Sequence, residues 1–270
     1  MSLISFAQAL VPTARTADAL SFTVTDDWLQ GRSSFGGLQV AFALLAMREL
    51  TGVSAPLRVL QTTFIAPIGA GPVTVTARTL RAGKSVTHVE SRLLQGEETL
   101  GLVIGIFGAA RESAIDIPIA VREAPHGPEG LKDLPFFKGI APNFTQHFVW
   151  RWATGGFPFS GSSEPFTRIW LKHREPTGSS PFEAEYALVG LADAVPSPAI
   201  SMMKAVKAGS SLTWTLELLR PAPPQGDEAF WRIDSDIHQA KDGYVAQTAV
   251  VVGPDNQPVA LSRQAVVVFA

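Results

Sequence analysis

With 270 residues, 46% of them hydrophobic, the chain is long enough for one large domain or two ordinary ones and apolar enough to bury a full core. Its 22 Lys and Arg nearly balance 24 Asp and Glu and form no basic run, which argues against nucleic acid as a partner. The lack of cysteine excludes disulfides, thiolate catalysis, Cys-based zinc sites and iron–sulfur clusters.

The opening Met1-Ser2-Leu3-Ile4-Ser5-Phe6 has no basic n-region, and no run of about 18 apolar residues follows, so a cytoplasmic protein without a membrane span is expected. Residues 21–29 can supply a first strand. Phe35-Gly36-Gly37 then opens a helix running through Met47 that is apolar on nearly every side, a pattern that requires burial. Strand patterns follow at 57–65, closed by Pro67, and at 72–80, 85–94 and 100–107, with turns at Arg81-Ala82-Gly83-Lys84 and Gln95-Gly96-Glu97. Proline and charge dominate 116–142, which reads as a connector. Beyond it, 144–154 or 167–173 can supply another first strand. A helix is expected at 182–193, and strands at 210–219, 229–239, 244–252 and 259–269. Pro221 follows the first of these strands, and turns are expected at Lys241-Asp242-Gly243 and Gly253-Pro254-Asp255-Asn256.

The order helix, strand, proline, strand, turn, strand, turn, strand thus occurs twice, and a repeated order decides architecture more firmly than single propensities. One helix wrapped by one curved antiparallel sheet leaves a sheet edge and part of the helix bare; two such units would cover each other. The expected fold is α+β, one continuous antiparallel sheet of roughly ten strands around two central helices. The units are residues 1–115 and 143–270, joined by 116–142. Two unrelated α+β domains on a linker are the competing arrangement.

Several catalytic plans fail on inspection. No Gly-x-Ser-x-Gly elbow exists; Gly209-Ser210-Ser211-Leu212-Thr213 comes nearest but opens a strand and lacks the second glycine. There is no His-Glu-x-x-His, Walker loop or Gly-x-Gly-x-x-Gly, so neither a metal nor a dinucleotide is indicated and no cofactor is expected. His88, His126, His147, His173 and His238 are dispersed, without an acidic partner at ligand spacing, and read as surface or structural residues.

Phe35-Gly36-Gly37, Phe64-Ile65-Ala66-Pro67 and Thr79-Leu80-Arg81-Ala82-Gly83-Lys84-Ser85 resemble the first half of type II acyl-CoA thioesterases, the tandem (double) hotdog family. Ile169-Trp170-Leu171-Lys172, Leu191-Ala192-Asp193, Ser211-Leu212, Leu219-Arg220-Pro221 and Ala260-Leu261-Ser262-Arg263-Gln264 resemble successive markers of its second half, in the same order. The resemblance runs from about Trp28 to the end. It implies hydrolysis of an acyl-CoA substrate, a homodimer or larger homo-oligomer, and an Asp, a Thr or Ser, and a Gln that hold the attacking water. By position these are Asp193, Ser211 and Gln264. Thr213-Trp214 stands where many relatives have Asp-His, and Gln61 where some have His, so Gln61, Thr213 and Trp214 are candidate substrate-binding residues in an altered pocket.

The residues can be weighed on their own chemistry. A thioester is already activated, so an enzyme need only place a water, take its proton and stabilise the oxyanion. Asp193 lies among Leu188, Val189, Leu191, Ala194 and Val195, where burial would raise its pKa and make it a better base; equally, it could cap the turn before Pro196 and Pro198. Gln264 interrupts an apolar strand, and a buried amide must find partners. Ser211 is either a catalytic hydroxyl or an edge hydroxyl, with Thr213 and Thr215 expected on its strand face. The N–H groups of Gly37 and Leu38, at the glycine-opened helix start, are the oxyanion candidates, unless the glycines merely permit a tight helix entry. By spacing, Gly37 takes the first-copy position of Asp193, which predicts one working site per chain. Arg81, Lys84, Lys172 and Arg174 are candidates for the CoA phosphates. Trp214, Phe230 and Trp231 are candidates for an acyl pocket or for core packing. A non-catalytic acyl-CoA or lipid-binding protein is the alternative, and a hotdog dehydratase ranks last, because no histidine lies near the start of either helix.

Overall fold

The computed structural model describes every residue except Met1, Ser2, Pro125, His126, Gln225, Asp227, Glu228 and Ala270, so His126 lies outside the described residues. Ser5 and Gln8 form a capping box on the short helix α1 (Phe6–Ala9). Strands β1 (Ala14–Arg15) and β2 (Ala19–Val24) follow. The strand expected to reach residue 29 stops early. Trp28 turns into the core through a 3₁₀ turn at Asp26–Trp28 and donates its indole N–H to the Ile4 carbonyl at 2.8 Å. The hairpin β3 (Leu29–Gln30) with β4 (Ser33–Ser34) leads into α2 (Gly36–Thr51), which ends at Gly52 in the left-handed region, φ 66°. Strands β5 (Leu57–Phe64), β6 (Gly71–Ala82), β7 (Val86–Gln95) and β8 (Glu98–Gly108) complete the first half.

The second half begins with β9 (Phe148–Thr154) and β10 (Phe166–His173). Helix α3 (Pro181–Ala194) starts at a capping box of Ser180 and Glu183, and α4 (Pro198–Met202) follows it. Strands β11 (Gly209–Leu218), β12 (Trp231–Lys241), β13 (Tyr244–Val252) and β14 (Pro258–Val268) close the chain. Asp242 and Gly243, at φ 54° and 79°, make the tight turn between β12 and β13.

Twelve of these strands form one antiparallel sheet in the order β1-β2-β6-β7-β8-β5-β11-β14-β13-β12-β10-β9. The order reads the same from either edge once each strand is replaced by its counterpart, and the halves join at the seam of β5 with β11, where Leu60 faces Leu216. Of the two segments proposed for the second half's first strand, β10 takes the place of β2, since it pairs with β12 as β2 pairs with β6. The other, β9, adds an edge strand, like β1. Helices α2 and α3 lie inside the curve. Every residue of α2 from Gly37 to Arg48 is buried, the burial its all-round apolar surface requires. Among the described residues no helix is long and apolar enough to cross a membrane.

Candidate active site

The start of α2 has no side-chain cap of its own. Its Gly37 N–H donates instead to the carboxylate of Asp193, which arrives from the last turn of α3. A carboxylate at a helix N-terminus answers both unpaired N–H groups and the positive end of the dipole. Contact is possible only because the residues opposite have no side chain. A Cβ on Gly36 would lie 2.6 Å from Asp193 Oδ2 and 3.1 Å from the Phe64 ring, and one on Gly37 would lie 3.2 Å from the Cα of Gly190. Asp193 therefore does cap a helix, but one in the other half of the chain.

Two expectations are corrected here. Gly37 is not the counterpart of Asp193, since it opens α2 while Asp193 lies near the end of α3; helices running in opposite directions bring the two into contact. The proposed oxyanion donors are also engaged, Gly37 N–H with Asp193 and Leu38 N–H with the Phe35 carbonyl at 3.2 Å.

The sheet supplies the other side of the site. Thr62, Trp214, Gln264 and Gln247 stand directly opposite one another on β5, β11, β14 and β13, so they share the face turned toward the helices. Gln264 Nε2 donates to Asp193 Oδ1 at 2.7 Å, and Gln247 Nε2 donates to Gln264 Oε1 at 3.1 Å. Trp214 is buried, with its indole N–H on Ser262 Oγ at 2.9 Å.

A register slip between Ser211 and Thr213 corrects the expected strand phase. Ser211 stands opposite Val266 and shares the inner face with Gln264, whereas Thr213 and Thr215 stand opposite Ala265 and Arg263 on the outer face. Gln61, opposite Thr215, is outside as well. Of the expected site residues the structure thus brings Asp193, Gln264 and Gly37 together and puts Ser211 and Trp214 on their side of the sheet. It leaves Gln61 and Thr213 on the far side. The Ser211 hydroxyl has no hydrogen bond to Asp193 or Gln264 among the described residues.

Asp193 keeps some solvent contact as a residue, yet desolvation of its carboxyl is the largest influence and pushes its pKa up to about 7. The hydrogen bonds from Gln264 and Gly37 act the other way, holding it in the range where a base is half ionised at neutral pH. Two of the described histidines, His147 and His173, are engaged with other groups. His147 Nε2 sits 3.1 Å from Asp27 Oδ2, an acid too distant in sequence for spacing to reveal, and its ring stacks on Trp28 at 3.9 Å. His173 is bonded to the Ala187 carbonyl at 2.9 Å, and burial pushes its pKa down to about 4. Among the described residues no three His, Asp or Glu are grouped to hold a metal.

The candidate phosphate ligands belong to different halves of the sheet. Arg81 and Lys84 lie at the tip of the β6–β7 hairpin, whereas Lys172 and Arg174 lie on and just after β10, toward the opposite end of the sheet. The three aromatics do not line one pocket: Trp214 and Trp231 belong to the main core, and Phe230 packs in a separate cluster with Val149 and Trp170. Sequence reasoning missed Gln247 and Thr62, and took Phe64 only as part of a family marker. The signal for Gln247 was present, since it is the polar member of the alternating series Val245, Gln247, Ala249, Val251.

Residues 24–108 match the family model described as the acyl-CoA thioesterase N-terminal domain, and residues 128–268 match the model of the C-terminal domain. Among curated proteins none matches by sequence. Similar solved structures include a conserved protein of unknown function with a hot dog fold from Alicyclobacillus acidocaldarius, at 19% identity over 98% of each chain and TM-score 0.85. A tesB protein from Mycobacterium avium subs paratuberculosis matches at 13% identity over 98% of each chain and TM-score 0.80. The acyl-CoA thioesterase II TesB2 of Mycobacterium marinum matches at 15% identity, again over 98% of each chain, with TM-score 0.76. At these identities the likeness shows the shared fold.

Proposed function

The chain belongs to the acyl-CoA thioesterase family, in the double hotdog form, and from that premise we propose that it hydrolyses acyl-CoA at the junction of α2 and α3, with Asp193 as the base. Asp193 takes a proton from a water as the water oxygen attacks the thioester carbonyl carbon. The tetrahedral intermediate then collapses with cleavage of the C–S bond, and the proton passes from Asp193 to the departing sulfur, leaving free acid and CoA. A thiol with a pKa near 8.5 is a good leaving group, so the base carries most of the demand. Gln264 orients the Asp193 carboxylate, and Ser211 offers a hydroxyl to the water or substrate from the same face of the sheet.

The observation that carries this reading is the 2.7 Å hydrogen bond from Gln264 to a desolvated carboxylate whose pKa is raised to about 7. Free CoA release is to be measured over short, medium and long acyl-CoAs for the wild type and Asp193→Asn. Loss of a general base predicts a fall in kcat of about 10²-fold or more. A wild-type rate in the folded variant removes Asp193 from the mechanism, and binding without turnover in the wild type makes the chain a binding protein.

A further inference from the structure

An ionised carboxylate can only accept hydrogen bonds. Gln264 must therefore turn its NH₂ toward Asp193, and its oxygen then points back toward β13, where it accepts a hydrogen bond. The donor is Gln247, 8% exposed, whose Nε2 lies 3.1 Å from Gln264 Oε1. The contact is built into the register, because Gln247 and Gln264 are direct partners on β13 and β14. Were the Gln264 amide rotated by half a turn, its oxygen would meet an Asp193 oxygen, an arrangement that only a protonated carboxyl can join. Gln247 faces the same choice, since its own oxygen is buried without a protein partner. A cavity of about 10 Å³ lies beside both glutamines, lined also by Ser235, Thr248 and Ser262.

Building on the assignment of Asp193 and Gln264 as the hydrolytic pair, we propose that Gln247 is a positioning residue of the same site, fixing which end of the Gln264 amide faces Asp193. It touches neither substrate nor the reacting water; it acts through Gln264 and so sets the protonation state in which Asp193 works. The influences on Asp193 are its desolvation, the Gln264 amide and the Gly37 N–H, and no charged side chain is among them. The amide orientation is therefore the adjustable contribution.

Two variants test this, Gln247→Met, which keeps the length and removes the donor, and Gln247→Glu, which replaces the donor with an acceptor. Two readouts are needed: kcat and KM for acyl-CoA hydrolysis across pH, and the titration midpoint of the Asp193 carboxyl by carbon NMR without substrate. Gln247→Met is expected to lower kcat roughly tenfold, as for the loss of one organised hydrogen bond, with KM within about twofold. It should also move the Asp193 midpoint upward. Gln247→Glu should do both more strongly, by turning the Gln264 oxygen onto Asp193. An unchanged midpoint and unchanged kcat in either folded variant overturn the proposal, as does a fall in kcat with the midpoint unmoved, which is what a merely structural residue would give. The NMR midpoint stands apart from catalysis. If Asp193→Asn hydrolyses normally, the hydrolytic assignment fails while the control of Asp193 by Gln247 is still measured.

Discussion

Where the end of α3 meets the start of α2, Asp193 is held by an amide and a backbone N–H, beside glycines that leave room around its carboxyl. Where the end of α2 meets the first half of α3, Arg48 Nη2 lies 2.6 Å from Glu185 Oε2, with both side chains buried. Arg48 also donates to the carbonyls of Val53 and Ala55 at 2.9 and 2.6 Å, and its guanidinium lies over the rings of Phe107 and Phe182. Glu185 accepts the Leu57 N–H at 3.2 Å. Both junctions bury a carboxylate, but the second is neutralised and filled. The first leaves its carboxylate without a counter-charge, and that lack is what suits it to the proposed role of base. Among the described residues, then, one of the two junctions is a candidate site, and the difference lies in charge pairing.

Breaking the filled junction should have the largest effect on stability. Arg48→Met leaves Glu185 buried without its partner and should cost about 3–5 kcal/mol by denaturant unfolding, with kcat at permissive temperature within about threefold of the wild type. A neutral cost there would erase the contrast between the junctions.

The open junction should respond in the opposite sense. Because the folded-state pKa of Asp193 is raised from 3.8 to about 7, the folded protein binds an extra proton between those values, and wild-type stability falls as pH rises through that window. Asp193→Asn escapes this loss. Its stability gain over the wild type should be near zero below pH 4, grow through pH 4–7 and level off above, at an order of 2–4 kcal/mol in paired melts. A gain that shrinks with rising pH contradicts the assignment.

A smaller effect sharpens the comparison further. Gly36→Ala places a methyl 2.6 Å from Asp193 Oδ2 and should cost about 1–3 kcal/mol while lowering kcat by at least tenfold, whereas alanine at Gly52 or Gly96, where space is open, should leave kcat alone. The smallest effect concerns the division into residues 1–115, 116–142 and 143–270, which we also propose. A protease cut within 116–142 should leave the halves associated, since β5–β11 pairing and the helix junctions hold them together, and gel filtration of the nicked protein measures this.

The repeat was legible because turns rich in glycine and charge punctuate it, and the palindromic sheet follows from the order of its elements. Asp193 and Gln264 were legible as polar interruptions in apolar runs. Strand phase was less so. The slip after Ser211 exchanges the faces of Thr213 and Trp214 relative to strict alternation, and no local residue announces it. Gln61 drew notice although its neighbour Thr62 is the residue that faces inward. The Arg48–Glu185 pair joins residues 137 apart in sequence, and only the packing of two helices reveals that the second junction is closed.

The most direct test of the central claim is the pH dependence of kcat/KM for acyl-CoA hydrolysis by the wild-type protein. A rate controlled by one carboxyl in the free enzyme should rise tenfold per pH unit below a midpoint near 7 and level off above it, and residual activity of Asp193→Asn should lack that step. A profile that is flat from pH 5 to 8, or the same step in the variant, would contradict Asp193 as the base.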